Sequence, residues 1–203
     1  MPKQTFFNLP AEKQQAIITT AISEFARVPF QDASIANIIK DADISRGSFY
    51  QYFEDKEDLF FYLLTEEMEQ RHANFITELK RRNGDILSTL VELFKQTLKQ
   101  FDDERLKEFY KNVFLHLNYK TEKAIANSMS DNKFNKRYEE IKPYINKQYL
   151  NVENDEELFH TVQLISAIMM QNFVLKFAKN LSNEEVLDSF SIQLKLLKRG
   201  ITK

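Results

Sequence analysis

The sequence has no cysteine and few of the residues that interrupt helices. Without cysteine, disulfide bonds, thiol catalysis and cysteine-based zinc sites are excluded. Only 3 glycines and 4 prolines occur among 203 residues, whereas Leu, Lys, Glu, Gln and Phe are abundant. This composition predicts an all-α protein, because helix-forming residues are common and helix-breaking residues are scarce.

Long apolar runs and a strongly basic net charge are also missing. No stretch approaches the roughly 18 consecutive apolar residues of a transmembrane helix, and the opening residues MPKQTFFNLP lack the apolar core of a signal peptide. We therefore expect a cytoplasmic protein with no membrane partner. The net charge of −2 argues against a surface that is basic all over, but it does not constrain the charge of any single face.

The chain contains enough apolar surface to build a sizeable core. Hydrophobic residues make up 43% of it, with 18 Phe and 8 Tyr, so disorder is not expected. Beyond Gly84, apolar residues recur at helical spacing over 86–101, 106–117, 159–177 and 186–197. The pattern over 123–150 is weaker and Pro143 interrupts it, which predicts two shorter pieces there.

Four helices are predicted before residue 85. They begin at the capping residues Asn8, Ser34, Ser45 and Asp55. The first helix is expected to stop near Val28, and the third to cover 46–53. The fourth is long and ends at the basic residues and glycine of 80–84, so we place a domain boundary inside it, near Phe60. The predicted domains are residues 1–60 and 61–203.

The second and third predicted helices are short and joined by a tight turn, which is the pattern of a helix-turn-helix motif. Their apolar residues can form a small core with the first helix. The free side of the third helix then carries short polar groups suited to base edges and phosphates, on Ser45, Arg46, Gly47, Ser48, Gln51 and Tyr52. Gly47 costs a helix roughly 1 kcal/mol relative to alanine, but it lets a backbone come close to a groove wall. Lys56 lies beside free backbone N–H groups, which favours a phosphate contact.

The run ASIANIIKDADISRGSFYQYFEDKEDLF resembles the DNA-binding segment of the tetracycline-repressor (TetR) family of bacterial transcription regulators. The shared pattern is an Ala/Ser–Ile–Ala helix, a turn ending in Ile-Ser, a glycine, an aromatic run ending in Phe, and Lys-Glu-x-Leu-Phe. The resemblance covers about Leu9 to Leu64. It implies a recognition helix over 46–52 and a homodimer on double-stranded DNA. The predicted DNA-binding residues are Ser34, Ser45, Arg46, Gly47, Ser48, Tyr50, Gln51, Tyr52 and Lys56.

The predicted DNA-binding domain has a net negative charge, whereas DNA-binding domains are usually basic. Residues 1–60 contain six basic and nine acidic side chains. We therefore predict few charged phosphate contacts and a modest salt dependence of DNA binding, with a slope of about 3 to 6 for a dimer.

The second domain is predicted to bind an effector and to form the dimer. Most of its aromatic residues build a core, and some line a pocket between helices. The predicted ligand-binding residues are Phe94, Phe109, Tyr110, Phe114, His116, Met169, Met170 and Phe173. No charged residue lies within 162–175, which favours a small hydrophobic effector. The last two helices, 156–179 and 184–198, are apolar on more than one face, so we predict a four-helix bundle between two chains.

Two alternatives stay open. Glu69-x-x-His72 and Glu157-x-x-His160 have the spacing of di-iron carboxylate bundles, although Glu157 also suits a helix start. A helical interaction scaffold that does not bind DNA is the other alternative. Our prediction is an all-α, ligand-responsive repressor. It would bind a palindromic operator as a homodimer and release it on binding the effector, with no catalytic residues, cofactor or metal.

Overall fold

The computed structural model describes residues 1–115 and 131–201, and every regular element in that part of the chain is helical. The α-helices are α1 Gln4–Phe7, α2 Ala11–Arg27, α3 Ile35–Asp41, α4 Arg46–Tyr52, α5 Lys56–Arg81, α6 Ile86–Gln100, α7 Glu104–Leu115, α8 Asp131–Ile141, α9 Asp155–Ala178 and α10 Asn183–Ile201. Short 3-10 turns occupy Phe30–Asp32, Lys142–Tyr144 and Lys147–Tyr149. The all-α prediction is therefore confirmed.

The described residues form two compact units. The first contains 1–71 and 103–115, and the second contains 72–102 and 131–201. Helix α7 comes from the later half of the sequence, yet it packs against α2 in the first unit. These units describe packing, whereas the predicted division assigns DNA binding to residues 1–60 and effector binding and dimerisation to residues 61–203, and it stays a prediction.

Serine and aspartate caps set the helix starts of the first unit. The hydroxyl of Ser34 accepts a hydrogen bond from a backbone N–H of α3, and that of Ser45 accepts one from α4 at 3.0 Å. The Asp55 carboxylate accepts from the N–H of Asp58 at 2.7 Å, while Asp58 accepts in return from Glu54. The predicted caps at Ser34, Ser45 and Asp55 are confirmed, because capping depends on residues only two or three positions apart.

The predicted cap at Asn8 is wrong. Helix α2 begins at Ala11, after Pro10, and no side chain caps it. Asn8 instead ends the short helix α1, where its N–H donates to the carbonyl of Gln4 at 3.1 Å. The reason is the ring of Phe6, which is fully buried. Its burial holds residues 4–7 in a helical turn.

The core of the second unit is built around Phe94 of α6. Its ring stacks on Phe173 of α9 at 4.8 Å and on Phe190 of α10 at 4.1 Å between centroids. Gly84 makes the turn between α5 and α6 with a φ of +81°, and a Cβ there would lie 2.5 Å from the carbonyl oxygen of Tyr144. Only glycine fits this turn without moving the neighbouring backbone.

Helix α9 is unusually apolar. By length and composition it is able to span a membrane, and 28% of its most apolar window is buried within the described chain. A helix at the core of a soluble protein meets the same criteria. The apolar surface of α9 therefore indicates that something packs on it, but composition alone does not identify what does.

Candidate nucleic-acid interface

Helices α3 and α4 form a helix-turn-helix. The turn between them is short because Asp43 takes a left-handed φ of +50°, which ends α3 and reverses the chain direction. The N–H of Ile44 then donates to the carbonyl of Ile39 at 3.0 Å. The buried side chains of Ile38 and Phe49 anchor the two helices on the core. The opposite side of α4 is left at the surface.

That exposed side carries four of the predicted DNA-binding residues of α4. Arg46, Gly47, Tyr50 and Gln51 are exposed, and the cap residue Ser45 lies beside them. The Arg46 guanidinium lies 5.7 Å from the centroid of the Tyr50 ring, and its Nη2 is 3.4 Å from the Tyr50 hydroxyl. This pair presents a cation, a ring and hydroxyl lone pairs together, which suits phosphates and base edges. Ser48 is half-buried, and Ser34 caps α3.

The structure gives no internal reason for a glycine at position 47. A Cβ built there would meet only the hydroxyl of Ser45 within 4 Å, at the ordinary contact distance of 3.7 Å. Packing within the chain therefore tolerates a side chain. The predicted role of Gly47, in which an outside surface approaches this backbone, stays a prediction.

The predicted place of Tyr52 on the free side of α4 is wrong. Only 9% of Tyr52 is exposed, and its ring centroid lies 6.4 Å from that of Phe6. Helix α1, which the sequence pattern did not predict, covers this position. Tyr52 is therefore a core residue at the end of α4.

Lys56 has a structural role that the sequence did not indicate. Its Nζ donates to the carbonyls of Gln31 at 2.9 Å and Ala33 at 2.8 Å, and it lies 4.8 Å from the centroid of the Phe30 ring. These bonds tie the start of α5 to the connection between α2 and α3. A phosphate contact by Lys56 stays a prediction. A phosphate bound there would share the Lys56 ammonium with these two carbonyls.

Sequence reasoning missed Glu24, which joins α2 to α3. This buried carboxylate accepts bonds from Arg27 at 2.8 and 2.9 Å, from the Ser34 N–H at 2.8 Å and from the Asn37 amide at 3.1 Å. The Arg27 bonds, helped by those of Ser34 and Asn37, hold the pKa of Glu24 below its ordinary value although burial raises it. A glutamate within an apolar helical stripe is the only signal that the sequence offers for this role.

The predicted ligand-binding residues fall into two groups. Phe109, Tyr110 and Phe114 belong to α7 in the first unit, with Phe109 and Tyr110 buried. In the second unit Phe94 and Phe173 are stacked core rings, and Met169 and Met170 lie on α9. His116 lies outside the described residues. The two groups do not form one cluster within either unit, and their role in ligand binding stays a prediction.

Tyr110 is the polar centre of the first group. Its hydroxyl donates to Glu67 at 2.7 Å and accepts from Arg71 at 3.0 Å. Burial is the main cause that raises the pKa of Tyr110 to about 12, a net value to which Arg71 contributes a lowering and Glu67 a further raising. Tyr110 therefore stays protonated at neutral pH and serves as a hydrogen-bond donor between α5 and α7.

The two Glu-x-x-His pairs are not assembled into a metal site. His72 lies 2.7 Å from Glu140, and His160 lies 3.3 Å from Gln163. Within residues 1–115 and 131–201, no group of three or more potential metal-ligating side chains comes together. The di-iron alternative therefore has no support from this geometry.

The first unit thus defines the class of the protein, which is a helix-turn-helix protein with an all-helical second unit. Residues 17–63 match the family model "Bacterial regulatory proteins, tetR family", and residues 85–201 match "Tetracyclin repressor-like, C-terminal domain". The second match alone covers more than half of the chain. The chain belongs to the TetR family of bacterial transcriptional regulators.

Individual relatives agree with this assignment. The HTH-type transcriptional regulator YdgC of Bacillus subtilis is 33% identical over 96 residues, which are 46% of this chain and 49% of that protein. The match thus spans about half the length of that curated relative. A TetR family regulator from Chloroflexus aurantiacus has a TM-score of 0.52 at 25% identity, with 100% of this chain and 99% of that chain covered.

A cysteine mutant of the TetR family regulator CifR, solved with a 26 bp double-strand operator DNA, shares the fold. Its TM-score is 0.63 at 18% identity, and the alignment covers 93% of this chain and 98% of that chain. This chain therefore has the fold of a regulator whose structure is known in complex with operator DNA.

Proposed function

We propose that this protein is a ligand-responsive repressor that binds a palindromic DNA operator as a homodimer in the cytoplasm, without enzymatic activity. The observation that carries the proposal is the exposed polar face of α4, where Arg46, Gly47, Tyr50 and Gln51 project from a helix anchored by buried Phe49. A short helix with this face fits a major groove, and its first-turn residues are placed to contact base edges. The operator complex of CifR supports the same use of the fold.

A homodimer is supported by apolar side chains exposed on the last two helices. On α9, Leu164 is 50% exposed, and Met170 and Val174 are also exposed. On α10, Ile192 is 60% and Leu196 59% exposed. Burying such a surface against the same surface of a second chain gives a four-helix bundle and places two recognition helices at a fixed spacing. This cover also accounts for the apolar length of α9 without a membrane.

The effector is proposed to act through α5 and α7. Helix α5 runs from the first unit into the second. Helix α7 falls within the matched C-terminal domain but packs on α2, where the Asn112 amide donates to the carbonyls of Phe25 at 2.9 Å and Ala26 at 3.0 Å. A hydrophobic ligand that shifts either helix would alter the position of α2 and of the motif mounted on it.

Selection of bound duplexes from a random DNA pool tests the proposal. We expect the purified protein to enrich a near-palindromic sequence with two half-sites about one helical turn apart. The affinity for that duplex should fall with salt at a slope of about 3 to 6, as the few basic residues of the domain imply. Failure to enrich any sequence, together with a slope near zero, would contradict DNA binding.

A further inference from the structure

The last four carbonyl groups of α4 all have hydrogen-bond partners, and three of these partners come from outside the motif. A helix leaves its last four C=O groups without partners of its own. In α4 the carbonyl of Phe49 accepts from the N–H of Phe53 at 2.9 Å. The other three carbonyls are satisfied by residues 3–7, which we call the N-terminal arm.

Two residues of the N-terminal arm make these three bonds. The backbone N–H of Lys3 donates to the carbonyl of Tyr52 at 2.8 Å, and its Nζ donates to the carbonyl of Tyr50 at 2.8 Å. The Thr5 hydroxyl donates to the carbonyl of Gln51. The Lys3 ammonium thus lies at the negative end of the α4 dipole, where a cation is stabilising.

Phe6 fixes the N-terminal arm to the core. Its side chain is fully buried, and its ring centroid lies 4.9 Å from that of Phe53 and 5.4 Å from that of Tyr62 on α5. The arm therefore joins the end of α4 to α5. Since an isolated helix as short as α4 is not stable in water, its order depends on such tertiary contacts.

We propose that Lys3 and Thr5 are positioning residues of the DNA-binding site. They hold the C-terminal end of α4 so that Arg46 and Tyr50 face outward at a fixed angle, and they do not themselves contact DNA. This inference rests on the proposed DNA binding. The Lys3 ammonium is bound to a carbonyl of α4, and in this inference its contribution to affinity comes from orientation, which the salt dependence of binding distinguishes from a phosphate contact.

Matched substitutions separate orientation from charge. Lys3→Met removes the ammonium and keeps the backbone bond, and exposed Lys95→Met in α6 removes the same charge from the second unit. Thr5→Val removes the hydroxyl at nearly constant shape, and Thr5→Ser restores it. From the usual net strength of such bonds, we expect about 5-fold weaker binding for Thr5→Val and about 10-fold for Lys3→Met. Thr5→Ser and Lys95→Met should stay within about 2-fold of the wild type.

The probe is the duplex selected by the full-length wild-type protein, and affinity is measured as a function of salt. The positioning role predicts an unchanged salt slope in Lys3→Met, with faster hydrogen exchange of the α4 amides in Lys3→Met and Thr5→Val. A slope lower by about 1 per chain in Lys3→Met would place Lys3 on a phosphate and overturn the inference. So would unchanged affinity in both variants.

The two proposals fail in different ways. If the wild-type protein enriches no duplex, the proposed function is wrong and the inference about DNA binding falls with it. If the wild type binds its duplex and both Lys3→Met and Thr5→Val bind it equally well with unchanged hydrogen exchange in α4, only the inference is overturned.

Discussion

At the scale of single residues, the side chains of α4 divide into those that face solvent and those that hold the helix. Tyr50 and Tyr52 lie only two positions apart, yet Tyr50 is 39% exposed and paired with Arg46, whereas Tyr52 is buried against Phe6. Two positions on a helix differ by about 200°, so the two rings point to nearly opposite sides. The exposed ring belongs to the proposed interface and the buried one to the core.

The two tyrosines offer a matched test, since each substitution by phenylalanine removes one hydroxyl. Tyr50→Phe is expected to weaken binding of the selected duplex by about 3- to 10-fold, because the hydroxyl lies on the proposed DNA-facing side. Tyr52→Phe should leave affinity within about 2-fold, because that ring is buried. Fluorescence anisotropy with a labelled duplex measures both. An equal loss in the two variants would show that the assignment of the faces is wrong.

Gly47 provides a second residue-scale prediction, in which stability and DNA binding change in opposite directions. Gly47→Ala should raise the free energy of unfolding by about 0.5 to 1 kcal/mol, because alanine favours the helix and the structure leaves room for its Cβ. DNA binding should weaken at least several-fold, because the methyl group meets the groove wall. Urea unfolding and a DNA titration measure the two effects. Unchanged DNA affinity would leave Gly47 without a role in the interface.

At the scale of elements, the helix-turn-helix is held by polar ties between helices. Glu24 joins α2 to the start of α3, and Lys56 joins α5 to the connection between α2 and α3. The N-terminal arm donates hydrogen bonds to the last carbonyls of α4. Each tie satisfies backbone groups that a short helix leaves unpaired. The orientation of the motif therefore depends on bonds between distant parts of the sequence.

Replacing Glu24 should lower stability in a pH-dependent way. Glu24→Gln keeps the shape but loses the carboxylate, so at pH 7 we expect a loss of about 1 to 3 kcal/mol in the free energy of unfolding. Because the folded pKa of Glu24 is lowered, the wild-type advantage is present above the unfolded pKa of about 4.3 and disappears as the pH falls below it toward the folded value. Urea unfolding from pH 7 to pH 3 measures this. A constant difference over that range would contradict the role of the charge.

Local features of this fold were predictable from the sequence, and features that depend on distant contacts were not. The caps at Ser34, Ser45 and Asp55 use side chains and N–H groups a few positions apart, so their residue types indicate them. The burial of Tyr52 depends on Phe6, which is far away in the sequence and has no helical pattern around it. The packing of α7 on α2 is likewise non-local. The polar face of α4 was predicted correctly except where α1 covers it.

At the scale of the whole molecule, the exposed apolar side chains of α9 and α10 are the surface on which the proposed homodimer rests. The exposed side chains of Leu164 and Ile192 lie on helices that pack against each other. In the proposed homodimer, burial against a second chain would remove this surface from water and bring two recognition helices onto one duplex. DNA affinity is therefore expected to depend on dimerisation.

A charged side chain on this face should separate the chains. Ile192→Asp is expected to give a monomer that binds the palindromic duplex at least about 10-fold more weakly, because one recognition helix engages one half-site. Tyr149→Asp is the matched control, since Tyr149 is an exposed ring outside α9 and α10. Analytical ultracentrifugation gives the mass of each variant. A dimer that persists in Ile192→Asp would place the interface elsewhere.

The absence of cysteine allows a direct measurement of the surface that contacts DNA. Gln51→Cys introduces a single thiol on the exposed face of α4, and Lys95→Cys introduces one on α6. The measurement is the rate of maleimide labelling of each thiol with and without the selected duplex. We predict that the duplex slows labelling at position 51 at least about 10-fold, because bound DNA covers the thiol. The labelling rate at position 95 should not change. Equal labelling of Gln51→Cys in the free and DNA-bound protein would contradict the central claim that α4 is the recognition helix.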